Sequence, residues 1–318
     1  MRNVHEDRSI PLIPFSQSVG KRPGTCRTSA AFLRCATTMS LAMSLAMSLA
    51  IGSPRRAVAQ APVSTSAANP VLITGHDMLL IAGATAASAA VSAFDVSIAR
   101  RFSDSVFHAQ HPGVRSAAVR ASQVTETALM ITGGLVYGIA RASKDQGTAD
   151  VALHTTESVF AAAMAIQVVR GVLGRSRPHI LDDRLAERSS NPYHFRPFRG
   201  FTSFEYRSFP SMHAMASFAV ASALAQEMRL RATPHRAVIA PLLYLSASAP
   251  AVSRMYLDEH WASDILMGVF LGVFAGQKAV IYSHDHPDNR IDRRLLKPQV
   301  RAVVSHGASG FSFSLAPF

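Results

Sequence analysis

Apolar residues recur along the chain in six stretches separated by short polar segments. The stretches occupy residues 78–94, 123–140, 151–169, 214–228, 237–252 and 265–282. All six are rich in Ala and Leu and show no alternation of β-branched and polar positions, which favours helices over strands. Turn-forming residues such as His111-Pro112-Gly113 and Thr233-Pro234 lie between them. The pattern predicts an all-α fold, a bundle of about six main helices.

Whether these helices cross a membrane is left open by the sequence. The mean hydropathy is only +0.17. Glu126, His154 and Glu157 lie inside two of the stretches, where a central charge costs about 2.5–3.5 kcal/mol on insertion scales. In contrast, residues 237–252 and 265–275 are strongly apolar. A membrane-spanning bundle and a soluble or peripheral bundle both fit this pattern.

The first 61 residues differ from the rest in charge and order. They hold eight Lys or Arg against two acidic residues. Six of the basic residues precede three tandem copies of Met-Ser-Leu-Ala at 39–50, and Arg55-Arg56 lie between these copies and Ala59-Gln60-Ala61. A basic segment, an apolar run and a small-x-small site are typical of a secretory signal. We expect a signal peptide or an uncleaved anchor over 1–61, a linker over 62–75, the folded domain over 76–285 and a tail over 286–318. The protein is therefore expected in the cell envelope, periplasmic or membrane-associated, with its active site on the extracytoplasmic side.

Composition narrows the class of protein further. Of the 318 residues, 48% are hydrophobic and 16% are charged, which excludes general disorder. The net charge of +12 suits an anionic membrane or a phosphorylated substrate as well as a nucleic acid, and no nucleic-acid motif accompanies it. The loop 180–209 is basic and aromatic, and we consider a substrate lid and a packed insertion equally. We expect no nucleic-acid partner.

Three segments near the ends of predicted helices carry candidate chemistry. They are 170–178 (Arg-Gly-Val-Leu-Gly-Arg-Ser-Arg-Pro), 208–213 (Ser-Phe-Pro-Ser-Met-His) and 253–264 (Ser-Arg-Met-Tyr-Leu-Asp-Glu-His-Trp-Ala-Ser-Asp). Arg suits phosphate because its planar group is permanently charged. His260 and Asp264 are four residues apart and would share one face of a helix, where the carboxylate can orient the imidazole. A purely structural pair is the alternative. No metal site is predicted, because no motif supplies a third ligand.

These segments resemble the three signature motifs of the type 2 phosphatidic acid phosphatase (PAP2) superfamily, which includes bacterial acid phosphatases and vanadium haloperoxidases. The motifs are Lys-x6-Arg-Pro, Pro-Ser-Gly-His and Ser-Arg-x5-His-x3-Asp. The matching residues are Arg177, Pro178, Pro210, Ser211, His213, Ser253, Arg254, His260 and Asp264. Two positions depart from the pattern, because Arg170 replaces Lys and Met212 replaces Gly.

The resemblance implies a helical bundle with its active site at helix ends, and it implies a role for each matched residue. His260 would attack phosphorus to form a phosphohistidine, Asp264 would orient it, and His213 would act as general acid and then as base. The phosphoryl oxygens would be held by Arg170, Arg177, Arg254, Ser211 and the backbone N–H of Met212. No cofactor is implied, and vanadate is expected as an inhibitor. The Met212 side chain is expected to narrow the pocket.

The expected function is metal-independent hydrolysis of a lipid phosphate, a lipid pyrophosphate or a small phosphate monoester. Two alternatives stay open. One is a vanadium-dependent haloperoxidase, in which vanadate would be the cofactor. The other is a degenerate phosphate-binding membrane protein without activity, an interpretation that rests on Met212.

Overall fold

The structure, a computed structural model, describes residues 73–178, 190–287, 289–295, 301–302 and 313–314. The predicted leader, most of the linker, residues 179–189 of the basic loop and most of the C-terminal tail lie outside these residues. Six long helices match the six predicted ones: α1 (Gly75–Ser92), α5 (Glu126–Ala142), α6 (Gln146–Leu173), α7 (Met212–Leu230), α8 (Arg236–Tyr256) and α9 (Ala262–Asp285). The predicted all-α fold is confirmed.

Shorter elements connect the long helices. Three short helices that the apolar pattern did not predict follow α1, and a fourth follows α9. They are α2 (Asp95–Phe102), α3 (Ser105–Gln110), α4 (Pro112–Ala121) and α10 (Arg290–Leu295). Two 3-10 turns lie before α7, at Arg199–Phe201 and Phe204–Tyr206. Two strands of two residues each, β1 (Arg301–Ala302) and β2 (Phe313–Ser314), pair antiparallel with Arg301 opposite Ser314.

Local sequence explains where the long helices begin and end. Thr74, Thr125 and Asp145 each accept a hydrogen bond from a backbone N–H in the first turn of the helix that follows, which satisfies donors that have no partner inside the helix. Helix α6 ends at Gly174, whose φ of +57° lies in the left-handed region. A Cβ on this residue would also lie 1.8 Å from the carbonyl oxygen of Arg196. Glycine is therefore required where the chain leaves α6 for the loop.

The closest helix pair is α7 and α9. Gly268, Gly272 and Gly276 lie one turn apart on α9, and a Cβ at each would lie 2.3–2.6 Å from a backbone oxygen of α7 or its N-cap. The absence of side chains at these positions lets the two backbones approach closely. As a result the start of α7 is held against the start of α9, where the Ser211 N–H donates to the Asp264 carbonyl oxygen at 3.1 Å.

Two apolar clusters fill the spaces between the long helices. One lies between α7, α8 and α9 and includes Phe218, Met255 and Ile265. The other lies between α6 and α7 and includes Val159 and Ile166. Both clusters flank α7, so the helix that carries the second motif is fixed from two sides.

Among the helices that the structure describes, three are long and apolar enough to cross a membrane, namely α6, α8 and α9. The count rises to four if α1 and the segment Asp95–Gln110, bent by 64°, form one span. Large apolar side chains are exposed along α5, α6 and α8, namely Ile131, Leu135, Ile139, Phe160, Met164, Val168, Val238, Leu242 and Leu245. Such surfaces are unusual in a soluble monomer. Helix length and composition thus indicate membrane association.

Candidate active site

The three motif segments meet at one end of the bundle. Arg170 lies in the last turn of α6, His213 in the first turn of α7 and Arg254 in the last turn of α8. His260 comes just before α9, and Asp264 lies in its first turn. Alternating helix directions bring these four helix ends to the same face, so residues up to 94 positions apart in sequence form one site.

The His260–Asp264 pair forms differently from the prediction. Both residues were expected on one helix face, but α9 begins at Ala262 with Trp261 as its N-cap, and His260 lies outside the helix. The Asp264 carboxylate turns back to accept the Trp261 N–H at 2.9 Å, as acidic residues in a first turn often do. Its Oδ2 atom lies 3.5 Å from Nδ1 of His260, an electrostatic contact longer than a hydrogen bond. The pairing is present, although its helical geometry was predicted wrongly.

Asp264 is anchored by an arginine that the motif comparison did not include. Arg175, 2% exposed, donates from Nη1 to Asp264 Oδ1 at 2.5 Å and to Ser263 Oγ at 2.8 Å. The hydroxyl of Ser208 donates to Asp264 Oδ2, also at 2.5 Å. Charge-assisted hydrogen bonds of this kind are short and strong. The carboxylate facing His260 is therefore fixed on both of its oxygens.

Behind Arg175 lies a second buried carboxylate. Asp95, the first residue of α2, accepts from Arg175 Nη2 at 2.8 Å. It also accepts from the backbone N–H of Ser263 at 2.9 Å and from its hydroxyl at 2.5 Å. The Asp264–Arg175–Asp95 chain thus links α9 to α2. Arg175 lies inside the first motif segment and was available to sequence reasoning, whereas Asp95 belongs to no recognisable motif.

Two of the three predicted phosphate-binding arginines share one carboxylate, that of Glu259. Arg177 donates to Glu259 Oε2 at 2.5 Å, and Arg254 Nη2 lies 3.4 Å from the same oxygen. The Arg177 guanidinium also lies 4.0 Å from the ring centroid of Phe204. Nε of Arg170 has no hydrogen-bond partner among the described residues. Glu126 and Glu205 also interact electrostatically with Arg170 and Arg177. Three buried guanidinium groups this close to one another suit an anionic ligand.

The same charges lower the pKa values of the two histidines. Burial and then the neighbouring Arg177, Arg254 and Arg170 hold the pKa of His260 well below its usual range. Burial, followed by the charge of Arg254, lowers the pKa of His213 to about 4, against an opposing hydrogen bond to the carbonyl oxygen of Ser122. Both imidazoles are therefore neutral at neutral pH. A neutral imidazole has the lone pair that a nucleophile or a base needs.

Ser211 and Met212 form the start of α7. The Ser211 hydroxyl caps the helix by accepting the Ala214 N–H at 3.5 Å. The Met212 side chain is 5% exposed and lies in the α6–α7 core cluster with Ile166 and Met215, although it was expected to narrow the pocket. Its backbone N–H remains among the helix N-terminal donors that have no intrahelical acceptor.

The described part of the basic loop lies beside the arginines and exposes a row of aromatic side chains. Tyr193, Phe195, Phe198, Phe201 and Phe204 are 42–65% exposed. Phe204 also stacks on Arg177, so this row borders the site. Residues 180–189 lie outside the described residues, and the lid remains a prediction.

Comparison with known families and proteins agrees with this site. Residues 152–287 match the model of the PAP2 superfamily. No curated protein and no solved structure gives a significant match. The matched range contains all eight candidate residues and Arg175, and it leaves out Asp95. The predicted resemblance to the PAP2 superfamily is confirmed over residues 152–287, whose three motifs are gathered at one end of a helical bundle.

Proposed function

We propose that the protein is a membrane-associated phosphatase that hydrolyses lipid phosphate monoesters through a phosphohistidine on His260. The match to the PAP2 superfamily indicates phosphatase-type hydrolysis in general. The observation that carries the finer proposal is a buried, neutral imidazole beside a fixed carboxylate and three arginines. A neutral nucleophile beside three guanidinium groups suits attack on a phosphate dianion.

In the first step Nε2 of His260 attacks phosphorus and the ester P–O bond breaks. Nδ1 faces Asp264, which stabilises the imidazolium character that develops on the ring. His213 gives its proton to the leaving alkoxide, so that the alcohol departs neutral. The pKa of His213 is about 4 without substrate, and a bound phosphate dianion would raise it by offsetting the charge of the arginines.

In the second step water attacks the phosphohistidine and the N–P bond breaks. His213 takes the proton of the water, and inorganic phosphate leaves with His260 restored. Arg170, Arg177 and Arg254, together with Ser211 and the Met212 N–H, are proposed to hold the phosphoryl oxygens in both steps. Three guanidinium groups provide the positive charge that Mg²⁺ provides in other phosphoryl transfer enzymes. We therefore propose turnover that needs no metal ion.

Exposed apolar surface favours a lipid over a soluble ester. The outward faces of α5, α6 and α8 are apolar, and the aromatic row from Tyr193 to Phe204 borders Arg177. Aromatic side chains are enriched at the boundary between lipid headgroups and acyl chains. A site beside such a row would meet a headgroup phosphate while the acyl chains stay in the bilayer. With the predicted leader, this supports our proposal that the activity lies at the extracytoplasmic face of the membrane.

The test combines turnover with trapping of the intermediate. Purified protein in detergent is given phosphatidic acid in mixed micelles or p-nitrophenyl phosphate, both with EDTA, and released phosphate is measured. Rapid quenching with ³²P-labelled substrate should give a labelled protein that is stable in alkali and labile in acid. We expect this label in the wild type and in the control His76→Ala, an exposed histidine on α1. His260→Ala should lose both label and turnover by several powers of ten.

Two outcomes would contradict the proposal. Turnover close to wild type in His260→Ala would exclude the nucleophile. A wild type that releases no phosphate but oxidises bromide with vanadate and peroxide would favour the haloperoxidase alternative. Faster hydrolysis of glycerol 3-phosphate, a soluble alkyl ester, than of phosphatidic acid, judged by kcat/KM, would retain the mechanism and replace the lipid with a soluble ester.

The proposed location has a separate test. Residues 1–70, fused to alkaline phosphatase, should give an active reporter outside the cytoplasm, because the basic flank and the apolar repeats direct export. A fusion of residues 62–70 alone is the matched control and should stay inactive. An inactive, cytoplasmic fusion of the longer segment would contradict export.

A further inference from the structure

A second polar cluster lies at the opposite end of the bundle. His154 on α6, Glu227 on α7 and His284 on α9 offer ligand atoms that all lie within 4.8 Å of one another. Glu227 follows Met212 by fifteen positions on the same helix. At 1.5 Å per residue, the two ends of this segment are about 22 Å apart. We call these three residues the distal cluster, since they take no part in the phosphate site.

The three side chains are in direct contact. Nδ1 of His154 lies 2.7 Å from Glu227 Oε1, and Nε2 of His284 lies 3.1 Å from Glu227 Oε2. The side chains of His154 and Glu227 are 6% and 2% exposed, and that of His284 is 32% exposed. The cluster is therefore buried on two sides and reachable from solvent through His284.

Negative charge in this region exceeds positive charge. Asp292 on α10 is 3% exposed and places Oδ2 3.5 Å from Nε2 of His154. Glu157, one turn after His154, interacts electrostatically with both residues. Glu227, Asp292 and Glu157 thus bring three carboxylates to the two imidazoles, and Glu227 Oε2 also accepts from Nε of Arg231 at 2.7 Å. Nη2 of Arg231 also lies 3.7 Å from Oδ2 of Asp150.

Several buried atoms in the same place lack partners. Among the described residues, no hydrogen bond reaches Nε2 of His154, Oδ1 of Asp292 or Oε1 of Glu157. Buried polar atoms in folded proteins are nearly always paired, and an unpaired group requires a water, an ion or a functional explanation. A cation would satisfy acceptor atoms and reduce the excess of negative charge together.

We infer that the distal cluster binds one divalent transition-metal ion of the zinc class through His154, Glu227 and His284. Two imidazoles and a carboxylate form a ligand set that Zn²⁺ uses in proteins, with a fourth position for water or another oxygen. Asp292 lies beside that set, as carboxylates beside metal-bound histidines often do. An ion at the opposite end of α7 from Met212 would join α6, α7 and α9 rather than take part in catalysis.

The inference can be tested by counting bound metal. The full chain carrying an affinity tag without histidine is stripped with EDTA, dialysed against ZnCl2 and analysed for zinc by mass spectrometry. His284→Ala should bind one zinc ion fewer than the wild type. The matched control is His286→Ala, since His286 lies two residues further on and contacts the carbonyl oxygen of Tyr282 instead of the cluster. Zinc should raise the Tm of the wild type and of this control, but not of His284→Ala.

A conservative variant separates metal binding from hydrogen bonding. His284→Gln keeps a donor for Glu227 but offers a poor zinc ligand, so it should also lose one zinc ion while its Tm in EDTA stays at the wild-type value. All three variants should retain phosphate release, because His284 is remote from His260. Zinc contents that are equal in the wild type and both His284 variants would overturn the inference, whatever the outcome for the phosphatase.

Discussion

The two ends of the bundle use the same three helices for opposite electrostatic purposes. Helices α6, α7 and α9 each contribute a polar residue to both ends. At the phosphate end these are Arg170, His213 and Asp264, and in the distal cluster they are His154, Glu227 and His284. Positive charge is in excess at the first end and negative charge at the second. The comparison teaches that the sign of the buried charge left uncompensated indicates which kind of ligand each end accepts.

The phosphate end also contains one arginine that is paired with carboxylates of the protein itself. Arg175 is paired with both Asp264 and Asp95, so its charge is compensated within the protein. Arg177 and Arg254 share the carboxylate of Glu259, and Nε of Arg170 has no hydrogen-bond partner among the described residues. Arg175 therefore holds the site together, and the other three arginines are proposed to contact the substrate. The predictions that follow separate these two roles, from the largest expected effect to the smallest.

The largest effect is expected for the general acid. His213→Ala should reduce turnover of an alkyl phosphate about 10²–10⁴-fold, because an alkoxide needs a proton when it leaves. The loss on p-nitrophenyl phosphate should be much smaller, since p-nitrophenolate leaves without one. Single-turnover rates of phosphoenzyme formation on both substrates measure the difference. Equal losses on the two substrates would remove His213 from this role.

A smaller effect is expected when the ion pair between Arg175 and Asp95, which supports Asp264, is disrupted. Asp95→Asn should lower kcat about 10–100-fold, as loss of a group that orients an active-site residue typically does. KM should change little, because the side chains of Arg175 and Asp264 lie between Asp95 and the proposed phosphate-binding site. In an Asp264→Asn background the same substitution should have almost no further effect, since the residue it supports has already lost its charge.

The control for this positioning role is Asp104→Asn, which changes a carboxylate that caps α3 away from Arg175. It should leave kcat at the wild-type value. A loss from Asp95→Asn of the same size in both backgrounds would show that Asp95 acts on stability alone. Thermal unfolding of each variant, measured alongside, separates misfolding from lost orientation.

A shift in pH dependence is expected when one unpaired charge is removed. The positive charge of Arg170 contributes to the lowered pKa values of His260 and His213. Removing it in Arg170→Gln favours the protonated imidazoles, so both pKa values rise. The acid limb of kcat/KM, corrected for ionisation of the substrate, should therefore move to higher pH than in the wild type. An acid limb that stays in place while activity falls would show that Arg170 acts on substrate binding without affecting the histidines.

The sequence predicted the fold well where the apolar stretches were long. All six main helices were found, because long apolar runs that are rich in Ala and Leu and lack alternation favour helices over strands. The short helices α2, α3 and α4 were missed, since fewer than three turns leave little periodicity and their starts depend on local caps such as Asp104. Asp95 is the first residue of α2, so its role at the site was missed together with that helix.

The site was predicted only as far as its motifs extend along the chain. The eight candidate site residues lie at neighbouring helix ends, whereas the anchoring of Asp264 depends on Asp95, 169 positions away. His154 and Glu227 are likewise 73 residues apart, and no local spacing indicates that they meet. Contacts between distant helices require packing information that one sequence does not contain.

The smallest effect on catalysis is expected for Met212, where the structure replaces the pocket-narrowing hypothesis. Its buried side chain packs in the α6–α7 core cluster, so a substitution should change stability more than specificity. Met212→Leu conserves volume and should cost less than about 1.5 kcal/mol, whereas Met212→Gly removes a buried side chain and should cost about 2–5 kcal/mol. For both variants the ratio of kcat/KM on phosphatidic acid to that on p-nitrophenyl phosphate should stay at the wild-type value, because the backbone N–H is retained.

A selective gain on the lipid in Met212→Gly would mean that the side chain does limit the pocket. Recovery of activity on both substrates from a nearly inactive wild type would instead show that Met212 has disabled the phosphate end.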